Sequence, residues 1–536
     1  MAGFDWLVVF VYLGAVVVLG LWMGRKDKDM DDYFLGSRNI PWFAALLSMV
    51  ATEISAATFL GAPEQGYVRD LTYLQFGVGS ILARFVLAFF FLGVYYKLRV
   101  YTVYGFLTQR FGVPTKNTTA GVFLLGRLFA GGSRLFIASL AVKVVTGFDF
   151  VYAIVILGAI AIIYTLFGGI KAVIWTDVVQ AVVLAGGAVL SIFFLLGDIP
   201  ISGGEIWDML SENSKFRLFD TRMKDASGGI ALFSNAYHFI PAIIGGFFLT
   251  LATHGTDQAM IQRLLTCKDS FRAKISMVGS GFLGIGVTIL FLIVGLLLFV
   301  YAQTMGPDDT MLTISQDLAE KGHNGDFFLH YIVNRLPVGV SGLLIASVVA
   351  AAMSSIDSEL NAMASTFVND FYRPYAKVKE SASHLMKVAK VTTIGAGALL
   401  IGTAVLIADF YKKNPETDLL SIALGVMTFF YGGMLGIFLL GLFNRKRGSS
   451  TSNIIGLTAS TVILVFTSYK TKILTAWGWD RAAEGSFAHW IYSLNISWPW
   501  FTVLGVAMTI LIASLGKTAM DVLTRYNKTM NETESP

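Results

Sequence analysis

Thirteen apolar segments, each about long enough to cross a bilayer as a helix, constrain this chain more than any single residue does. They fall at 4–24, 41–62, 71–98, 119–146, 150–168, 173–197, 238–264, 275–303, 339–372, 386–411, 418–443, 451–469 and 498–516. In hydrocarbon every backbone N–H and C=O must be paired inside the protein, so runs of this length become helices in a packed bundle. The expected class is an all-α polytopic membrane protein with about 13 transmembrane helices. The chain is 55% hydrophobic and only 14% charged, too apolar for a soluble protein of 536 residues. Its net charge of +5 implies no nucleic-acid partner, because in a membrane protein the placement of Lys and Arg matters more than their sum. The single cysteine, Cys267, excludes an internal disulfide and a cysteine-rich metal site. The first run, Trp6 to Met23, lacks a small-residue cleavage pattern and is read as a retained helix.

Basic residues concentrate in alternate loops, the mark of the cytoplasmic side. These loops hold Arg25, Lys26, Lys28 and Arg38; then Lys97, Arg99, Arg110 and Lys116; then Lys171; then Arg263, Lys268, Arg272 and Lys274. The series continues with Arg373, Lys377, Lys379, Lys387 and Lys390, then Arg445, Lys446 and Arg447, then the tail. The amino terminus is therefore expected outside and the carboxyl terminus inside. Two outer loops, about 197–237 and 304–338, are long enough to hold short helices. The polar tail from Arg525 reads as disordered.

One spanning segment, Gly342 to Tyr372, is unusually polar. From Ser354, the residues Asp357, Ser358 and Asn361 follow at the spacing of one helical face. An intramembrane carboxylate on such a face is a functional-site candidate; the small residues also suit plain helix packing. Two other segments are interrupted by polar and small residues: Ser48 to Gly66, with Thr52, Glu53, Ser55 and Thr58, and Thr250 to Arg263, with His254, Gly255 and Asp257. Paired interruptions in two halves of a transporter point to its binding site, because an unwound helix frees carbonyls and helix ends for ions and substrate. If each opens a five-helix unit, the units are 41–197 and 238–443. They are flanked by an extra helix and loop at 1–40, an outer loop at 198–237, two further helices at 444–524 and a cytoplasmic tail at 525–536.

The stretches DYFLGSRNIPWFAALLSMVATEISAATFLG, GGIKAVIWTDVVQ (Gly168 to Gln180), DQAMIQR (Asp257 to Arg263) and AAAMSSIDSELN (Ala350 to Asn361) occur in one order. In them the chain resembles the sodium:solute symporter family, over about Asp31 to Arg447. The resemblance implies a leucine-transporter-like fold of 5+5 inverted repeats. It also implies sodium as the co-transported ion, bound by the carbonyls of Ala51, Ile54 and Ala351 and the hydroxyls of Ser354 and Ser355. The chemistry agrees, since a hard cation prefers oxygen ligands and a helix offers free carbonyls where it breaks. Some members carry a second sodium site, whose positions match Asp177, Asp357 and Ser358. Asp357 departs from the family's Ser or Thr, and two nearby carboxylates either hold a cation more tightly or share a proton.

By family position the substrate would be lined by Glu53, Thr58, Phe76, Ser80, Thr250, Thr253, His254, Asp257 and Thr428. Glu53 would face a cationic group, a sugar hydroxyl or a partner within the protein. Arg127 and Arg134 share a helical face and could receive a carboxylate or neutralise Glu53 or Asp177; the family's carboxylate-binding arginine matches Ala130, and the sugar-stacking aromatic matches Thr253. The function expected is sodium-coupled import of a small polar organic solute (a sugar, sialic acid or carboxylate) by alternating access, across what is read as a bacterial cytoplasmic membrane. One chain is the expected functional unit. A proton-coupled transporter is the alternative, and an ion channel a more distant one. An enzyme is not expected: His254 alone among six histidines falls mid-membrane, with no matched nucleophile.

Overall fold

The computed structural model describes residues 2–24, 30–166, 169–224, 230–376, 382–414, 417, 419–444, 447–476, 478, 486 and 495–533. The membrane-associated helices are α1 (Gly3–Gly24), α2 (Trp42–Glu53), α3 (Ala56–Val68), α4 (Leu74–Val86), α5 (Val113–Thr146), α6 (Phe150–Thr165) and α7 (Ile170–Asp198). They continue with α8 (Phe239–Gly255), α9 (Gln258–Leu265), α10 (Ser270–Thr304), α11 (Val340–Thr366), α12 (Ala382–Lys413), α13 (Leu419–Phe443), α14 (Ser450–Ala476) and α15 (Pro499–Thr533). Among the described residues, ten helices are long and apolar enough to cross a membrane, or up to 12 if each of two bent pairs counts as one span; α6 contributes a shorter apolar stretch, Phe150–Ile163. Among the described residues the only β-pairing is three isolated bridges. Of the basic residues used to orient the loops, Arg25, Lys26, Lys28, Lys377, Lys379, Arg445 and Lys446 lie outside the described residues. The chain end differs from expectation: α15 continues to Thr533, past Arg525.

The bent pairs are the two interrupted segments. Helices α2 and α3 meet at 61° and α8 and α9 at 60°. Each break is capped by a polar side chain that satisfies a freed backbone donor. Ser55, in extended backbone, accepts at Oγ from Ala57 N at 3.3 Å, and Asp257 accepts at Oδ1 from Ala259 N at 2.7 Å. The two long loops expected outside contain short helices, among them Gly203–Glu212, which starts on a Ser202/Glu205 capping box, and Thr310–Glu320, capped by Asp309.

Burial ranks the helices. The most apolar window of the helix running through Val340–Tyr372 is 89% buried, against 17% for that of α1, so the polar helix α11 is central and α1 peripheral. Helix α3 lies against α10 along a seam of glycines: a Cβ at Gly66 would sit 2.4 Å from the Leu292 carbonyl, and one at Gly295 would sit 2.2 Å from that of Pro63. Small residues that let backbones approach this closely are the usual currency of membrane packing. Gly66→Ala is expected to destabilise the fold by about 1–3 kcal/mol through overpacking, read as a lower melting temperature in detergent. Gly286→Ala, on the same helix α10 but with open space around it, should leave melting unchanged.

Candidate functional site

Where α2 ends, Ile54 leaves helical geometry (φ −83°, ψ 74°) and the chain presses against the middle of α11. Ser354 Oγ donates to the Ala51 carbonyl at 3.4 Å, and Ser355 Oγ donates to the Ala351 carbonyl of its own helix at 3.2 Å. Ala51, Ala351, Ser354 and Ser355 are wholly buried and Ile54 nearly so. Two hydroxyls and the carbonyls of the break thus stand together in a dry environment, an oxygen-only set suited to a hard monovalent cation.

One turn along α11, the positions matched to a second cation form a different arrangement. Asp177 on α7 accepts at Oδ2 from Ser48 Oγ at 2.5 Å and from Arg263 Nη2 at 3.0 Å. Arg263 Nε donates to Ser48 at 2.7 Å, and its Nη2 donates to Ser358 Oγ. Ser358 in turn donates to the Ser354 carbonyl at 2.5 Å and lies 3.1 Å from Asp357 Oδ1. The three predicted residues are therefore neighbours, with a guanidinium already between Asp177 and Ser358. Arg263, counted above among loop basic residues, sits on α9 and is fully buried.

Between the two broken helices lies a cavity of about 200 Å³. Glu53, Thr58, Phe76, Ser80, Thr250, Thr253 and His254 line it, joined by Arg84, Arg134 and Thr288. Glu53 has found its partners inside the protein: Arg84 Nη2 donates to its Oε2 at 2.5 Å, and His254 Nε2 lies 2.8 Å from its Oε1. The Glu53 side chain remains 22% exposed, so an acceptor still faces the cavity. Phe76 is braced by stacking on Trp498, with ring centroids 5.2 Å apart and planes within 9°.

Two predicted lining residues stand outside. Asp257 is consumed by capping α9, by Arg127 Nη2 at 2.5 Å and by the Tyr431 hydroxyl. Thr428 turns its hydroxyl to the Gly425 carbonyl of its own helix at 2.6 Å. Arg127 and Arg134 neutralise neither Glu53 nor Asp177: both bind Glu359 Oε1 on α11, at 3.0 Å and 2.5 Å. Room for that carboxylate comes from Gly131 on α5, where a Cβ would lie 2.0 Å from Glu359 Oε2. Sequence reasoning passed over Arg84, Glu359 and Tyr431 as site residues; the available signal was that Arg84 and Glu359 are ionisable residues in mid-span.

The model of the sodium:solute symporter family matches residues 33–456. The sodium/sialic acid symporter SiaT of Proteus mirabilis is 31% identical over 476 residues, covering 88% of this chain and 90% of that protein. The sodium/glucose cotransporter of Vibrio parahaemolyticus is 28% identical, covering 87% and 85%. A solved outward-open, substrate-bound state of a Na+-coupled sialic acid symporter superposes with a TM-score of 0.77 at 26% identity, covering 97% of this chain and 98% of its own. With its two capped helix breaks, its oxygen-lined pocket at α11 and a family match over most of its length, this multi-pass chain belongs to the sodium:solute symporter family.

Proposed function

We propose that this protein imports a small polar organic solute together with sodium by alternating access, with 41–197 and 238–443 as inverted five-helix repeats in a bundle of thirteen spans. The amino terminus is outside and the carboxyl terminus inside, and one chain is a complete functional unit. The observation that carries the reading is the contact of Ser354 with the Ala51 carbonyl, because it joins the break of α2 to the polar centre of α11 in full burial. Sodium takes the carbonyls of Ala51, Ile54 and Ala351 and the hydroxyls of Ser354 and Ser355. Binding there fastens the broken helix to α11, and this is how the ion favours the solute-ready arrangement: an ion shifts a conformational equilibrium only by its differential affinity.

The solute occupies the cavity between the breaks. Its wall supports a hydroxylated solute or an acid: Glu53 offers an acceptor for hydroxyls, while Arg134 is held to Glu359 through Nη1 and its other guanidinium N–H groups can serve a carboxylate. Related transporters carry sialic acid and glucose, which have both kinds of group or the first alone. Arg263 supplies the positive charge beside Asp177, which supports one sodium per cycle. Moving one charge inward across about 100 mV is worth about 2.3 kcal/mol, and a roughly tenfold sodium gradient adds about 1.4, enough for a solute gradient of about 500-fold.

Uptake into proteoliposomes, screened over sugars, sialic acids and carboxylates with an imposed sodium gradient, tests the reading. At least one solute should accumulate only when sodium is higher outside, with a hyperbolic dependence on sodium. Accumulation that ignores the sodium gradient for every transported solute would refute it.

A further inference from the structure

A second, almost wholly polar cavity of about 370 Å³ lies at the far end of α3, against the loop that precedes α8. Four cationic side chains line it, Arg69, Lys215, Arg217 and Arg222, against two carboxylates, Asp70 and Asp220. The carboxylates are turned inward. Asp70 accepts from Thr72 N and Thr72 Oγ1, at 3.0 Å and 2.6 Å, besides Arg217. Asp220 accepts from Asn235 Nδ2 at 2.9 Å besides Arg222. Their side chains are only 4% and 2% exposed, whereas those of Arg217 and Arg222 are 39% and 60% exposed. Each buried acid therefore grips a guanidinium from behind and leaves further N–H donors toward the cavity.

Arg69 has no carboxylate partner among the described residues; its guanidinium is seated over the Tyr237 ring, 4.6 Å from the centroid. Lys215 forms the floor, donating to the Tyr67 carbonyl at 2.7 Å at the end of α3. Lys215 is only 4% exposed, so the floor is largely shielded from water, and this burial pushes its ammonium down to about 8, with the Asp70 charge opposing the drop. Tyr237 connects the two cavities: its ring is 5.9 Å from that of Phe76, which lines the central one.

We infer that this cavity is a binding site for a small organic carboxylate. Guanidiniums held in fixed planes by buried acids match a carboxylate's two oxygens, and a pre-oriented fork loses little entropy on binding. The excess of two positive charges, on a partly dry floor, favours an anion over a neutral solute. In the orientation proposed above the cavity faces outside, one aromatic layer from the transport site, where it would raise the local concentration of an acidic solute before entry. The binding itself requires neither sodium nor transport.

The test uses the full chain in detergent and sodium-free buffer, with trifluoroacetate as probe and its 19F line width as readout. Wild type should broaden the line, and excess acetate should restore it. Arg69→Gln combined with Arg222→Gln should weaken binding about tenfold, the loss expected for charge-assisted hydrogen bonds, while Lys321→Gln, on an exposed helix end, should bind as wild type. Should the double variant melt early, Arg69→Gln alone carries the comparison. Unchanged broadening in the folded arginine variants overturns the site, and displacement by chloride as effective as by acetate overturns the carboxylate assignment. Persistence of the site where sodium-driven uptake fails would separate this inference from the transport reading.

Discussion

Glu359→Gln is expected to destabilise the protein by about 3–5 kcal/mol, the usual cost of stranding a buried charge. Glu359 is fully buried and takes a hydrogen bond from each of two arginines on α5. Glutamine would keep the shape and remove the countercharge. Arg127 would retain Asp257, but Arg134 would keep a full positive charge in a medium where Coulomb energies are several times larger than in water. The measurement is thermal unfolding in detergent, with expression level as a second indicator. The double variant Glu359→Gln, Arg134→Gln should recover part of the loss, since it removes the stranded charge together with its former partner. Coupling between neighbours in one network should exceed about 0.5 kcal/mol; losses that simply add would show that Arg134 does not depend on Glu359.

Ser355→Ala is expected to raise the sodium concentration for half-maximal uptake roughly tenfold to a hundredfold, the range for losing one oxygen ligand to a charged group. The Ser355 hydroxyl already donates its proton to the Ala351 carbonyl, which leaves its lone pairs for an ion. Alanine costs little packing there and removes only the oxygen. Ser347→Ala is the control: this hydroxyl, two turns away on α11, bonds the Leu343 carbonyl at 2.8 Å, and its loss should leave the sodium dependence unchanged. A half-maximal concentration that does not move in Ser355→Ala would place the ion elsewhere.

The fold was legible where bilayer physics leaves few choices. Length and apolarity marked the spanning helices, and Ser55 and Asp257, both residues that cap helices well, stood where the spans were interrupted. The oxygen pocket at Ser354 and Ser355 was legible through resemblance and chemistry together. The charge partners were not legible, because pairing is settled by helices far apart in the chain: Arg127 meets Glu359 across 232 positions and Arg134 across 225. Nothing local distinguishes Glu53, Asp177, Asp257 and Glu359 as acceptors for a given arginine.

Angular position explains why Glu359 was passed over. At about 100° per residue it stands some 140° from Ser354, off the serine stripe and toward α5. The stripe at Ser354, Asp357 and Ser358 drew attention because it shared a face. The costlier group, on another face of the same helix, anchored two arginines.

The cradle that Gly131 provides for Glu359 has an evolutionary consequence. A side chain at position 131 would evict the carboxylate, and without the carboxylate an arginine at 134 loses its buried countercharge. The three positions should thus be inherited as a block. Among relatives, glycine at 131 should co-occur with the acid at 359 and the base at 134, and lineages that abandon one should be found to have abandoned the others.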